Sequence, residues 1–316
     1  MTENFFMKYT FDCFVEMSNV LRGWNIEIRQ LQEGKIHDTL KQLKVKNILF
    51  SYAEFSGLTH QLGDIPPGRT FAFYTGKSSQ LIWRKKDIPF DAMMIFPLNS
   101  KLDVVVKGSK TNIHTISVSE EDLLSRLQEN ERDIYNSLVS TKDLITMHPS
   151  QMKNLQEVYG KYIQSAEENP DLINEKNFQI CLEEELFTAL IDVLLCEGNI
   201  KHSATKERIV QSWDKLEMYI ETHKQRPIML SELSKATDIG QRSIFRLFKD
   251  RFNLTPKAYL NKLRLNGVRN DITQMDFTKN NITDIARNWG FWHMGQFAAD
   301  YKRLFGELPS ETLQSA

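Results

Sequence analysis

Arg242, Arg246 and Lys249 stand four and three residues apart, so on a helix they line one face while Ile244, Leu247 and Phe248 line the opposite one. A guanidinium presents a rigid fork of N–H donors that matches a phosphate, or the two acceptors on the major-groove edge of guanine. Gln241 precedes these residues, and Phe245 shares their outward face, where a ring can touch a thymine methyl. A second set further along holds His293, Met294, Gly295, Gln296, Ala298 and Ala299, followed by Lys302 and Arg303. Small residues form no bidentate hydrogen bonds. They let a helix lie close to a groove floor, which leaves His293 and Gln296 as the nearby polar groups. The first set is expected to supply most sequence preference and the second mainly to position. The plainer reading is a solvated face for Arg and Lys, and partial burial for Phe245.

The elements that would hold these residues are written twice. Leu230, Leu233, Ile244, Phe248, Phe252 and Pro256 recur as Ile282, Ile285, Phe297, Tyr301, Phe305 and Pro309, at an offset of 52 residues and then 53. Each copy predicts a short amphipathic helix, a sharp break at Asp238 or Gly290, and a second helix, over 230–252 and 282–305. Helix, turn and helix is the arrangement that lays its second helix in a DNA major groove, and two copies could enter successive grooves.

The stretch Phe252-Asn-Leu-Thr-Pro256-Lys-Ala-Tyr259-Leu260-Asn-Lys-Leu263-Arg264-Leu265 resembles the signature of AraC/XylS-type transcription regulators, as do Gly290-Phe291, Phe297, Tyr301, Phe305-Gly306 and Pro309. Within that family the run Trp289 to Phe305 is most similar to the ethanolamine-operon-regulator group, as is Gln30-Leu-Gln-Glu-Gly34-Lys-Ile-His37. The resemblance covers about 208–316. It implies a long helix near 256–273 that holds the two motifs apart, base contacts from Arg242, Phe245 and Arg246, double-stranded DNA and RNA polymerase as partners, and activation of transcription. Two positions depart from the family: Ser234 replaces an Ala, and Gly240 a capping Ser, both expected to weaken the first motif slightly.

Charge divides the chain. Residues 208–316 carry 17 Lys and Arg against 12 Asp and Glu, a net +5, whereas the preceding 207 carry 23 against 29, a net −6. So small an excess predicts moderate phosphate attraction and a homodimer to share the work of binding. From about 24 to 118 apolar residues alternate, as in Ile48-Phe50-Tyr52, with breaks such as Pro66-Pro67-Gly68, which predicts an antiparallel sandwich or barrel; the family resemblance implies a cupin-like barrel that senses an effector. The period becomes helical over 119–197, where Leu182, Leu186 and Leu190 form either core or a dimer seam. A linker is expected at 198–207. The fold class expected is thus α+β, a cupin-like β barrel with helices followed by an all-α domain.

No basic, apolar leader opens the sequence and no long uncharged apolar run occurs, so a soluble cytoplasmic protein is expected. Cys13, Cys181 and Cys196 read as small buried hydrophobes. No catalytic residue, metal or cofactor is expected: His37, His60 and His114 form no close pair, and neither a glycine-rich phosphate loop nor a nucleophile elbow occurs. The alternatives are a ligand-independent DNA-binding adaptor, a cupin-type metal enzyme fused to a DNA-binding domain, and an alkyl-transfer repair protein, which would need a cysteine cluster where Cys13 stands alone.

Overall fold

The structure, a computed structural model, describes residues 3–76, 79–108, 110–196, 207–274 and 281–315. The N-terminal part runs β1 (Phe5–Phe11), α1 (Phe14–Val20), β2 (Asn25–Gln30), β3 (Asp38–Val45), β4 (Ile48–Phe55), β5 (Thr59–Asp64), β6 (Arg69–Thr75), β7 (Gln80–Trp83), β8 (Lys86–Ile88), β9 (Ala92–Phe96), β10 (Lys101–Lys107) and β11 (Thr111–Val118). Helices α2 (Glu120–Ser125) and α3 (Glu129–Thr141), strand β12 (Leu144–Thr146), and helices α4 (Pro149–Glu168) and α5 (Lys176–Leu194) follow. The remainder is helical: α6 (Glu207–His223), α7 (Leu230–Thr237), α8 (Gln241–Phe252), α9 (Pro256–Thr273), α10 (Ile282–Asn288), α11 (Met294–Phe305) and α12 (Pro309–Ser315).

The strands form two open sheets rather than the closed barrel expected. Seven strands pair in the order β1-β3-β4-β11-β6-β9-β12 and five in the order β2-β5-β10-β7-β8. Alternation assigns each residue a face but not a partner strand, and the edge strands β8 and β12 are three residues each, too short to carry a ladder round a closure. Strand β12 also falls in a segment expected to be wholly helical; it pairs with β9. Gly68, at φ 93°, makes the expected break: a Cβ there would stand 2.3 Å from the Val118 carbonyl oxygen.

Four layers result. Ala53, Phe55, Ala72 and Met94 of the larger sheet meet Leu81, Trp83, Val104 and Val106 of the smaller one. The outer face of the larger sheet, with Leu43, Phe50, Phe73 and Ile116, is covered by α2 to α5. There Leu182, Leu186 and Leu190 are fully buried within the same chain, so the core reading of that helix holds and the seam reading does not. On the far side Ile82 and Val105 of the smaller sheet, with Leu31 just past β2, join Trp213, Phe248, Phe252 and Tyr259 in one core. The C-terminal helices are therefore packed against the sheets. The expected linker lies outside the described residues except for Glu207, where α6 opens. Of the cysteines only Cys13 is buried; Cys181 is exposed off the apolar face of α5, and Cys196 is exposed beyond the end of that helix. Cys13 is not in purely apolar company either, since Arg269 Nε donates to its sulfur at 3.0 Å.

Candidate nucleic-acid interface

Helix α9 is the spine of the C-terminal part. Thr255 caps it, accepting from the Ala258 N–H at 3.2 Å, and Pro256 opens it where no N–H is required. Its first half gives Tyr259, Leu260 and Leu263 to one core, with Ile244, Phe248 and Phe252 of α8; its second half gives Leu265, Val268 and Ile272 to another, with Phe297, Tyr301 and Phe305 of α11. Gly267 is where the second pair of helices lies closest: a Cβ there would meet the Trp289 ring at 2.2 Å.

Each pair turns through a left-handed residue. Asp238 stands at φ 56° and Gly290 at φ 74°. Ser234 proves a brace rather than a weakness, for its hydroxyl donates to the Ile239 carbonyl across the turn at 2.7 Å. Gly240 caps α8 without a side-chain bond.

On α8 the apolar residues Ile244, Phe248 and Phe252 are fully buried. Gln241, Arg242, Phe245, Arg246 and Lys249 are all exposed, Phe245 by 45 %. Lys249 donates to the Asn253 carbonyl at 3.3 Å, whereas Arg242 and Arg246 make no hydrogen bond or ion pair to the described residues. On α11, His293, Gly295, Gln296, Ala299, Lys302 and Arg303 are exposed and Ala298 is half-buried. Several are otherwise engaged. Met294 packs against the core, Gln296 donates to Asp300 at 2.8 Å, and Arg303 pairs with Asp300 and approaches Glu33 at 3.8 Å. Trp292, 70 % exposed in the turn before α11, escaped the sequence reading. Its sign was there: an apolar residue beside Phe291, outside either helix, with no place on a buried face.

Both second helices are anchored by their C-terminal ends. The Leu304 carbonyl of α11 accepts from Gly34 N–H at 3.0 Å and from Gln30 Nε2 at 2.8 Å, and the Asp250 carbonyl of α8 accepts from Lys107 at 3.3 Å. Asn266 of α9 pairs in both directions with the backbone of Gln30, at 2.9 Å each way. Beneath α8 a buried polar cluster joins sheet to helices. His60 bonds Tyr259 Oη and Asp103 at 2.8 Å each, Arg251 pairs with the same Asp103 oxygen and lies 4.6 Å from the Trp213 ring, and Arg29 bonds Glu27 and Glu221 at 2.7 Å. Burial drives the His60 imidazole down to about 4, so it is neutral. Burial also opposes the charge on Asp103, but the hydrogen bond from His60 and the charge of Arg251 prevail and hold its carboxyl well below the usual range. Burial, with the negative Asp103 nearby, lifts Glu217 to about 7.

His60, Asp103 and Glu217 are the described residues whose placement comes nearest to a metal-ligand set, with ligand atoms within 4.8 Å of one another. Two arginines share that space and Arg251 already holds the Asp103 oxygen, an arrangement that repels a cation. His37 and His114 lie elsewhere, on Asp12 and against Phe73. Among the described residues no helix is long and apolar enough to cross a membrane.

A family model described as a helix-turn-helix domain matches residues 233–315. The chain is 32 % identical to the XylDLEGF operon transcriptional activator 2 of Pseudomonas putida over 117 residues, 37 % of this chain and 70 % of that protein. It is 34 % identical to the probable thc operon regulatory protein of Rhodococcus erythropolis over 97 residues, 31 % of this chain but only 29 % of that protein's length. A crystal structure of a probable AraC family transcriptional regulator from Rhodopseudomonas palustris shares 37 % identity over 33 % of this chain and 96 % of that one, with a TM-score of 0.31. On these similarities, the chain belongs to the AraC/XylS family of transcription regulators.

Proposed function

We propose that the chain is a sequence-specific DNA-binding activator of transcription, with α7–α8 and α10–α11 as two helix-turn-helix motifs. One observation carries the reading: Arg242 and Arg246 stand exposed beside Phe245 without a partner among the described residues, on a helix whose other face and far end are fixed. A long flexible cation held in no ion pair is available to phosphates or base edges. Base recognition is assigned to Gln241, Arg242, Phe245 and Arg246. In the second motif His293, Gly295 and Ala299 approach the groove floor, Trp292 and Lys302 flank them, and Gln296 and Arg303 orient through Asp300. The role of activator is the one held by the P. putida relative, and RNA polymerase is its proposed partner.

Control through the N-terminal part follows from the anchoring. Anything that binds the sheets better in one arrangement of the docked helices shifts the population of that arrangement, and hence the spacing of the two motifs. The modest positive charge supports a homodimer, whose contact would lie away from Leu186 and Leu190. A ligand-independent adaptor remains the second reading, favoured by the extent of the bonds that tie helices to sheets. Selection of duplexes from a random pool by the full chain, with fluorescence anisotropy across salt, tests the proposal. An enriched motif and an affinity that falls with salt are expected. A folded chain that enriches no sequence and binds no duplex at low salt would refute it.

A further inference from the structure

The protein has five tryptophans, and four of them are held within it. Trp83, Trp213 and Trp289 are buried, and the half-buried Trp24 donates from Nε1 to Ser51 at 3.3 Å. Trp292 is 70 % exposed, and its Nε1 donates to none of the described residues. An indole is at once a large apolar ring and a hydrogen-bond donor, so it gains most where the ring is covered and the N–H meets an acceptor. Among the described residues Trp292 finds neither.

The turn that carries Trp292 is fixed from within. The Phe291 N–H donates to the Ala286 carbonyl at 2.9 Å, and the Phe291 ring is buried against Phe297 with centroids 5.2 Å apart. Arg264 of α9 donates from Nη1 to the Trp289 and Gly290 carbonyls at 3.3 and 3.2 Å, and its guanidinium lies 4.6 Å from the Phe291 ring. Pro227 closes another side, so near that a Cβ on Gly290 would stand 2.6 Å from its Cδ. A backbone held in this way presents the indole outward already ordered, which lowers the entropy lost when a partner covers it. Three residues on, Gly295 takes the second position of α11, where a Cβ would meet no described atom within 4 Å. Packing within the chain does not require that glycine, and it leaves the same end of the helix open to a close approach.

In a helix-turn-helix the first helix crosses the DNA backbone and the second enters the groove by its N-terminal residues, so the last residue of the turn lies over the rim of the groove. Trp292 holds that place, one residue before the His293 cap of α11. We propose that Trp292 is an uncharged clamp on the DNA backbone, its ring against deoxyribose and its Nε1 donating to a phosphate oxygen. Such a contact reads no base and releases no counterion, so it adds affinity alike to every duplex and leaves the salt dependence as it is. This role rests on the DNA-binding reading, and it supplies affinity that the modest positive charge of the C-terminal part does not.

Trp292→Ala and Trp292→Phe in the full chain test it, against the duplex that the parent enriches from a random pool and an unrelated duplex of equal length. Trp292→Ala should weaken binding of both by about tenfold, the worth of one hydrogen bond to a charged group. Trp292→Phe, which keeps a ring and loses the N–H, should weaken both by less. The dependence of affinity on salt and the selected sequence should match the parent's in each variant. Because Trp292 is the exposed indole, saturating duplex should shield the part of the parent's emission that acrylamide quenches, a part that free Trp292→Phe lacks. A parent that binds duplex with this indole still open to acrylamide overturns the assignment and leaves the DNA-binding reading standing; so does parental affinity in Trp292→Ala. A changed selected sequence would make Trp292 a base reader, and intact DNA binding with lost activation would place it on RNA polymerase, and either result overturns the backbone contact. A folded parent that binds no duplex at low salt sinks both readings together.

Discussion

Arg246 and Arg251 lie five residues apart on α8 and are predicted to fail in opposite ways. Arg246 is exposed and touches no described partner, so truncation to alanine removes nothing from the fold and should change stability by no more than about 0.5 kcal/mol. In the complex it should cost about 1–3 kcal/mol, roughly 5- to 150-fold in affinity, concentrated at one base pair. Arg251 is 6 % exposed, paired with Asp103 and placed over Trp213. Breaking a buried pair from one side costs about 3–5 kcal/mol, and the lower end applies because Asp103 is 20 % exposed and keeps its bond to His60. Arg251→Ala should therefore lose about 3 kcal/mol of stability, with base preference unchanged in whatever remains folded. Urea denaturation and binding-site selection on both variants give the crossed result. If Arg246→Ala destabilises as much as Arg251→Ala, the exposed placement is wrong. If it weakens all duplexes equally and flattens the salt dependence, Arg246 is a phosphate clamp.

Gly267→Ala should destabilise by about 1–3 kcal/mol, since the added methyl would stand 2.2 Å from a Trp289 ring that cannot swing away while Nε1 holds Asp271 at 2.6 Å; a thermal melt within error of the parent would show that the ring yields. The buried cluster predicts a pH signature. Glu217, raised from 4.5 to about 7, is costly to fold when ionised, so stability should rise as pH falls from about 8 to 6.5. Below 6.5 His60, lowered to about 4, takes up protons in the unfolded chain before the folded one and opposes that gain. Melting temperatures of Glu217→Gln should be flat over the upper window, and a slope equal to the parent's would assign the titration elsewhere.

The repeat, the two breaks and the positions facing out of α8 were legible in the sequence, because a helix's inward face follows from spacing alone and the left-handed residues that end a helix come from a short list, whereas the spine near 256–273 was implied by the family resemblance. Alternation likewise marked most strands. It could not reveal that the sheets stay open, since pairing joins residues such as Leu144 and Met94 that are far apart in the chain. Helical spacing set Arg251, seven residues beyond Ile244, on the inward face of α8, but it could not name the carboxylate that claims it, Asp103, 148 residues away. Met294, Gln296 and Arg303 drew the same candidate reading as His293, and only their tertiary neighbours distinguish them. Local geometry thus determined which side of each element is buried. What covers that side, and which polar groups lose their freedom beneath it, depends on contacts between distant segments, whose closure is decided by the packing of the whole chain.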